Sequence, residues 1–169
     1  MHRGACGTTA LNERLQAALN PEGPSVKRGT RMLRLGDKVM QLRNDYDREV
    51  FNGDVGFVTA VDEEARELTV TFEGRAVAYD EADLDELVLA YAISIHKSQG
   101  SEYPAVVIPL LTQHFVMLSR NLLYTAVTRG KRLVGLVADP RAISLALGEV
   151  RRTERETYLA ARIRQALRA

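Results

Sequence analysis

Two kinds of hydrophobic patterning alternate along this chain, and one sheet cannot hold both. Residues 37–42, 55–61, 67–72 and 76–79 are short, β-branched and roughly alternating. Asn52-Gly53-Asp54, Asp62-Glu63-Glu64 and Glu73-Gly74 separate them as turns. A period of two with one wet face predicts antiparallel strands, and several within about fifty residues read as a small β-barrel. Residues 88–95, 105–111 and 133–138 are instead continuous apolar runs, expected of strands covered on both faces. A helix-like stretch at 118–127 lies between the last two, with Leu118, Leu122 and Val127 on one side. Strands alternating with helices predict a parallel α/β sheet.

The expected architecture is therefore a parallel α/β body at residues 1–35 and 89–150, interrupted at 36–88 by an inserted antiparallel barrel. A first helix is capped by Thr8 or Thr9 and packs a stripe of Leu11, Leu15, Ala18 and Leu19. Asn20-Pro21 stops it, and Glu22-Gly-Pro-Ser25 is loop material. A last helix at 151–169 starts at the capping box Thr153-Glu-Arg-Glu156 and packs Leu159, Ile163, Ala166 and Leu167 against the body.

Charge follows the same division. The net +1 conceals six Lys/Arg against two acids in residues 1–35, five against fifteen in 36–88, and twelve against five in 89–169. A basic body can bind a polyanion, whereas the acidic insertion as a whole repels one. With 46% hydrophobic residues the chain can bury a core. The single Cys6 excludes an internal disulfide framework and a cysteine zinc site, which suits a reducing, cytoplasmic setting. No apolar stretch is long enough to span a bilayer, so no membrane partner is expected. Met1-His-Arg-Gly opens on a basic turn without a preceding strand and reads as the start of a piece of a longer protein. His114 has no ligand-spaced partner, and no metal site is assigned.

Chemistry concentrates in two segments. Tyr91-Ala-Ile-Ser-Ile-His-Lys-Ser-Gln-Gly-Ser-Glu102 and Leu123-Tyr-Thr-Ala-Val-Thr-Arg-Gly-Lys131 each run from apolar residues into dense hydrogen-bond donors. Ser94, His96, Lys97, Ser98 and Gln99 form a donor-rich turn, expected at the carboxyl end of a buried strand where ligands of parallel sheets sit. Gly100 permits close backbone approach. The same turn also reads as a polar loop whose Ser and His satisfy local backbone groups, and Glu102 as a solvated surface acid. Arg129 follows a helix, where a cation ordinarily complements the helix dipole. Alternatively it is a fixed guanidinium neutralising charge on a transferring phosphoryl group. No G-x-x-x-x-G-K-[ST] phosphate loop is present. In the barrel, exposed aromatics such as Tyr46 and Phe51 can stack nucleic-acid bases, while Phe57 is expected to fill its core.

Together these residues resemble the C-terminal part of RecD-like superfamily-1 DNA helicases. Met1-His-Arg-Gly and Leu11-Asn-Glu-Arg-Leu-Gln look like the entry to that family's second RecA-like motor domain. Gly36-Asp-Lys-Val-Met40, Asn44-Asp-Tyr46 and Phe51-Asn-Gly-Asp54 look like its Src-homology-3-like barrel insertion. Residues 90–102 match helicase motif V, and residues 124–129 match motif VI. The resemblance implies an ATP-dependent helicase moving 5′ to 3′ on single-stranded DNA. The phosphate-loop lysine, magnesium-binding acid and catalytic base would belong to an upstream motor domain, so this fragment alone would catalyse nothing. Arg129 would be the arginine finger, Gly100 and Glu102 would face the nucleotide, and Arg3 would be a second phosphate sensor. Ser94, His96, Lys97, Ser98 and Gln99, with Thr128, would hold the DNA backbone. Lys38, Arg43, Asn44 and Tyr46 would give the acidic barrel a local DNA-binding face, unless it guides the strand or serves partners. ATP and Mg2+ would be held mainly upstream. Partners would be single-stranded DNA, that upstream domain and exonuclease-complex subunits. The alternative is a stand-alone single-stranded-DNA-binding or adaptor module on a degenerate motor scaffold.

Overall fold

A computed structural model of the chain describes residues 6–148 and 164–166. Arg3 and nearly all of the expected last helix lie outside the described residues; 164–166 are helical. Helix α1 (Thr8–Leu19) is capped at Gly7, not at a threonine. Its orientation differs from the expected one. Asn12 and Gln16 are its buried residues, and Leu19 is 67% exposed. The surface beneath offers carbonyls and a carboxylate, so amides at i, i+4 and i+8 bind where leucines would leave polar groups stranded. Asn12 exchanges two hydrogen bonds with the backbone of Ala92, at 2.9 and 2.8 Å. Gln16 donates to the Met32 carbonyl and to Asp37, and Asn20 to the Leu35 carbonyl and to Asp37.

A hairpin not foreseen from the sequence follows, β1 (Ser25–Arg28) and β2 (Arg31–Arg34), turning at Gly29-Thr30. Each strand gives one residue to the core, Val26 and Leu33, which is too sparse a pattern to signal a strand. Next come β3 (Lys38–Gln41), β4 (Val55–Asp62), β5 (Glu67–Phe72) and β6 (Arg75–Tyr79), close to the expected ranges. With β7 (Leu87–Leu89) they form an antiparallel sheet in the order β6-β5-β4-β3-β7. Asp62 ends β4 with its carboxylate accepting from the N–H groups of Glu64 and Ala65, which fixes the expected turn. The sheet does not close as a barrel: among the described residues no strand pairing joins β6 to β7. The hairpin instead covers it, so that Val26 and Leu33 pack with Val39, Val58, Val70 and Tyr79 in one core.

Residues 88–95 are not one strand of a parallel sheet. Leu87 is fully buried in the antiparallel core and Val88 pairs with Met40, so β7 ends at Leu89 and a series of turns follows. The parallel part consists of β8 (Tyr103–Leu110) and β9 (Gly130–Ala138), paired from Tyr103↔Gly130 to Leu110↔Ala138. Helix α2 (Arg120–Val127) lies between them, with the Ser119 hydroxyl accepting from the Leu122 N–H as its cap. Helix α3 (Pro140–Gly148), also unforeseen, begins with a proline after Asp139, whose carboxylate takes the Arg141 N–H. Leu110, Leu118, Ala142 and Ala146 form the second core. The expectation of strands covered on both faces fails here, since Val107 is 71% and Leu133 64% exposed.

The acidic insertion is partly neutralised by arginines of the basic segment before it and by its own. Arg28 bonds Asp85 and lies near Glu81, and Arg31 bonds Asp85 and the Leu87 carbonyl. Arg48 pairs with Asp83, and Arg66 with Glu81. Ion pairs at an exposed surface are screened by water and contribute little to stability, so the main effect is on surface potential.

Candidate functional site

The two chemistry-bearing segments meet at the amino ends of β8 and β9, not beyond the carboxyl end of a strand. The Tyr103 N–H donates to the Arg129 carbonyl at 2.8 Å, immediately before the two strands begin to pair. Gly130 is required at this junction. A Cβ there would lie 2.6 Å from Val134 Cγ2 and 2.9 Å from the Leu133 carbonyl.

Arg129 is partly buried and its guanidinium is held by three acceptors. Nε donates to the Thr125 carbonyl at 3.1 Å, one Nη to the Ser101 carbonyl at 3.0 Å, and the other to the Thr128 hydroxyl at 3.2 Å. The Thr128 hydroxyl in turn donates to the Thr125 carbonyl. One side chain thus ties the carboxyl end of α2 to the end of the 94–101 turn. This geometry fits the reading in which Arg129 complements the carboxyl end of a helix, since its guanidinium takes the Thr125 carbonyl of α2. The Ser101 and Thr125 acceptors are backbone carbonyls, which leave no trace in a sequence.

The turn itself is built from its own serines. The Ser94 hydroxyl accepts the Lys97 N–H, the Ser94 carbonyl accepts the Ser98 N–H, and the buried Ser98 donates its hydroxyl to the Ile95 carbonyl. His96, Lys97 and Gln99 are exposed. Gly100 has φ +84°, a left-handed conformation that side chains disfavour. Glu102 is exposed and pairs with Lys131 at 3.0 Å. Lys97, Lys131 and Arg132 are exposed cations in the two segments that the Arg129 tether joins, and with the exposed His96 they offer a surface suited to a phosphate-rich ligand. Among the described residues no group of three His, Cys, Asp or Glu could hold a metal ion, and Glu102 is already ion-paired.

The barrel candidates lie on the β3–β4 connection. Asn44 accepts the Asn52 N–H and donates to the Tyr46 hydroxyl at 3.4 Å. Tyr46 is 74% exposed and meets Phe51 edge-to-face, centroids 5.9 Å apart. Phe57 is 53% exposed and does not fill the core as expected; on alternating β4 it falls out of step with buried Gly56 and Val58. Lys38 does not join this face. It sits at the opposite end of β3, partly buried, with its ammonium 5.3 Å from the Tyr103 ring centroid.

Sequence reasoning missed Asp37, which is fully buried. It accepts from Gln16 (2.5 Å), Asn20 (2.7 Å), the Tyr91 hydroxyl (2.9 Å) and the Arg34 N–H (2.7 Å). It joins α1, the hairpin, the sheet and the approach to the 94–101 turn. Burial, and then the Asp37 carboxylate, push the Tyr91 hydroxyl up to about 12. The only signal was an acid placed just before an apolar strand.

Known proteins resemble this chain in sequence and in fold. A family model described as the ATP-dependent RecD-like DNA helicase SH3 domain matches residues 11–72, and one for the UvrD-like helicase C-terminal domain matches residues 89–137. The chain is 40% identical over 164 residues to the ATP-dependent RecD2 DNA helicase of Deinococcus radiodurans, covering 97% of itself and 22% of that protein. It is 34% identical over 143 residues to the RecBCD enzyme subunit RecD of Mycolicibacterium smegmatis, covering 83% of itself and 25% of that protein. A solved structure of a Bacteroides Pif1 helicase with ADP-AlF3 and single-stranded DNA superposes with TM-score 0.59 at 22% identity, over 95% of this chain and 43% of that one. That likeness shows the fold.

Fold and relatives together mark the C-terminal region of a superfamily-1 helicase, its parallel strand pair following an antiparallel SH3-like module. Within that class the chain belongs to the RecD-like family, and it spans about a quarter of the length of the curated relatives it matches.

Proposed function

We propose that this chain is the second motor half of an ATP-dependent helicase that moves 5′ to 3′ on single-stranded DNA. Residues 1–35 and 89–150 would form the motor half, 36–88 the inserted module and 151–169 a closing helix. The observation that carries the reading is the Arg129 tether, which makes motifs V and VI one hydrogen-bonded unit. The bare apolar side chains of β8 and β9 support it, because they fit burial by the rest of a longer protein.

In this reading Arg129 leaves its carbonyl acceptors and reaches the γ-phosphoryl group of ATP bound between the two halves. A guanidinium there neutralises charge in the transition state. Gly100 and Glu102 face the nucleotide, and exchange of the Glu102–Lys131 pair accompanies closure. His96, Lys97 and Gln99 bind DNA phosphates, while Ser94 and Ser98 hold the turn in shape and Thr128 orients Arg129. Asn44 and Tyr46 meet the DNA at the module, and Arg3 is a second phosphate sensor. Mg2+ and the attacking water are handled by the upstream motor domain. The setting is cytoplasmic, alone or with exonuclease-complex subunits.

The test is Arg129→Ala and Arg129→Lys in the whole protein. ATP turnover should fall by about 10³-fold or more for Ala, the range for lost arginine fingers, with DNA binding retained. Lysine should rescue little, because it lacks the planar fork. Unchanged turnover in both variants would reject the finger, leaving a DNA-binding or adaptor role.

A further inference from the structure

The Lys38 ammonium lies within the roughly 6 Å reach of a cation–π contact with Tyr103. Lys38 is partly buried, and desolvation pulls its pKa below the ordinary lysine value. Water therefore screens the contact less than it would at an open surface. Tyr103 is bonded through its N–H to the Arg129 carbonyl and follows Glu102 directly. Its hydroxyl is buried and has no hydrogen-bond partner among the described residues. Lys38 therefore meets the ring of Tyr103 and makes no bond to its hydroxyl.

Strand β3 connects this contact to the aromatic loop, and both of its ends are fixed. At the amino end Asp37 holds four donors and the Lys38 carbonyl takes the Ala90 N–H at 2.8 Å. At the carboxyl end the buried Gln41 donates to Glu86 and accepts from Tyr79, while its backbone holds Gly53 and Asp54. Four residues of strand span roughly 13 Å. A displacement of the Asn44, Tyr46 and Phe51 loop therefore moves the strand as a strut, not as a hinge.

We propose that Lys38 and Tyr103 are positioning residues that transmit the DNA-bound state of the β3–β4 loop to Arg129 and Glu102. The proposal rests on the motor reading above. Its test uses the whole protein with Lys38→Met, Tyr103→Leu and their combination, beside the conservative Lys38→Arg and Tyr103→Phe. ATP turnover is measured with and without oligothymidine, together with the oligothymidine concentration for half-maximal stimulation and the melting temperature. Loss of the contact should reduce maximal stimulation about threefold to tenfold, the scale of one cation–π contact. Unstimulated turnover, half-saturation and melting temperature should hold, the double variant should be no worse than the worse single one, and both conservative variants should retain stimulation. Normal stimulation in Lys38→Met overturns the proposal. So does an equal fall in stimulated and unstimulated rates with a lower melting temperature, which marks a structural role alone. Absence of DNA-stimulated turnover in the unmodified protein would instead reject the motor reading.

Discussion

The Arg129 guanidinium donates to the Ser101 carbonyl at 3.0 Å, across 28 positions of sequence. Neither residue needs the other for its own secondary structure. The bond therefore joins the end of the 94–101 turn to the end of α2, beside the backbone bond from the Tyr103 N–H to the Arg129 carbonyl.

Asp37 should be the most sensitive buried position outside the site. Asp37→Ala takes from Gln16, Asn20, Tyr91 and Arg34 an acceptor that is itself fully buried. One unsatisfied buried donor costs about 1–3 kcal/mol, so a loss of at least ~3 kcal/mol is expected. Urea unfolding followed by tyrosine fluorescence measures it. An unchanged midpoint would mean that the polar attachment of α1 contributes nothing.

Tyr91 sets an alkaline limit. Its hydroxyl titrates at about 12 in the fold against an ordinary 10.0, so the folded state holds the proton more tightly. That contribution is complete below pH 10 and is lost as the pH rises from 10 to 12. Burial also pushes Tyr79 up, so it adds a loss of the same sign. Tyr91→Phe should be less stable at neutral pH and lose stability less steeply across pH 10–12. Denaturant midpoints at a series of pH values would show parallel curves if Tyr91 had no part.

The Tyr46–Phe51 pair should bind bases and not the core. Replacing both by alanine should weaken binding of the whole protein to oligothymidine by about 10-fold or more, since one base–aromatic stack contributes ~1–3 kcal/mol. Fluorescence anisotropy measures the affinity, and the melting temperature should change little because Tyr46 is mostly exposed. Equal affinity in the variant would remove this loop from the DNA path.

The sequence disclosed elements whose signals are local. Strands β3 to β6 carry period-two patterning and turn residues at fixed offsets, and they fall within a residue or so of expectation. The two donor-rich segments stood out in the sequence because their donors are neighbours along the chain, and the structure brings the segments together. What escaped depends on partners far along the chain. The hairpin β1–β2 has one core residue per strand, and the open sheet is completed by that hairpin and not by closure. Val88 joined the antiparallel sheet because Met40 was available to pair with it, a choice no local pattern records. The leucines of α1 misled for a related reason: an apolar stripe predicts burial only when the surface opposite is also apolar.

The amides of Asn12, Gln16 and Asn20 give α1 an attachment with a single registry. A helix seated on leucines can creep by a fraction of a turn with little change in energy. This one cannot, because each amide meets a defined carbonyl or carboxylate and a one-turn slip breaks every bond at once. A load applied along α1 would therefore reach Ala92 and Asp37 undamped, up to the point where the whole latch lets go.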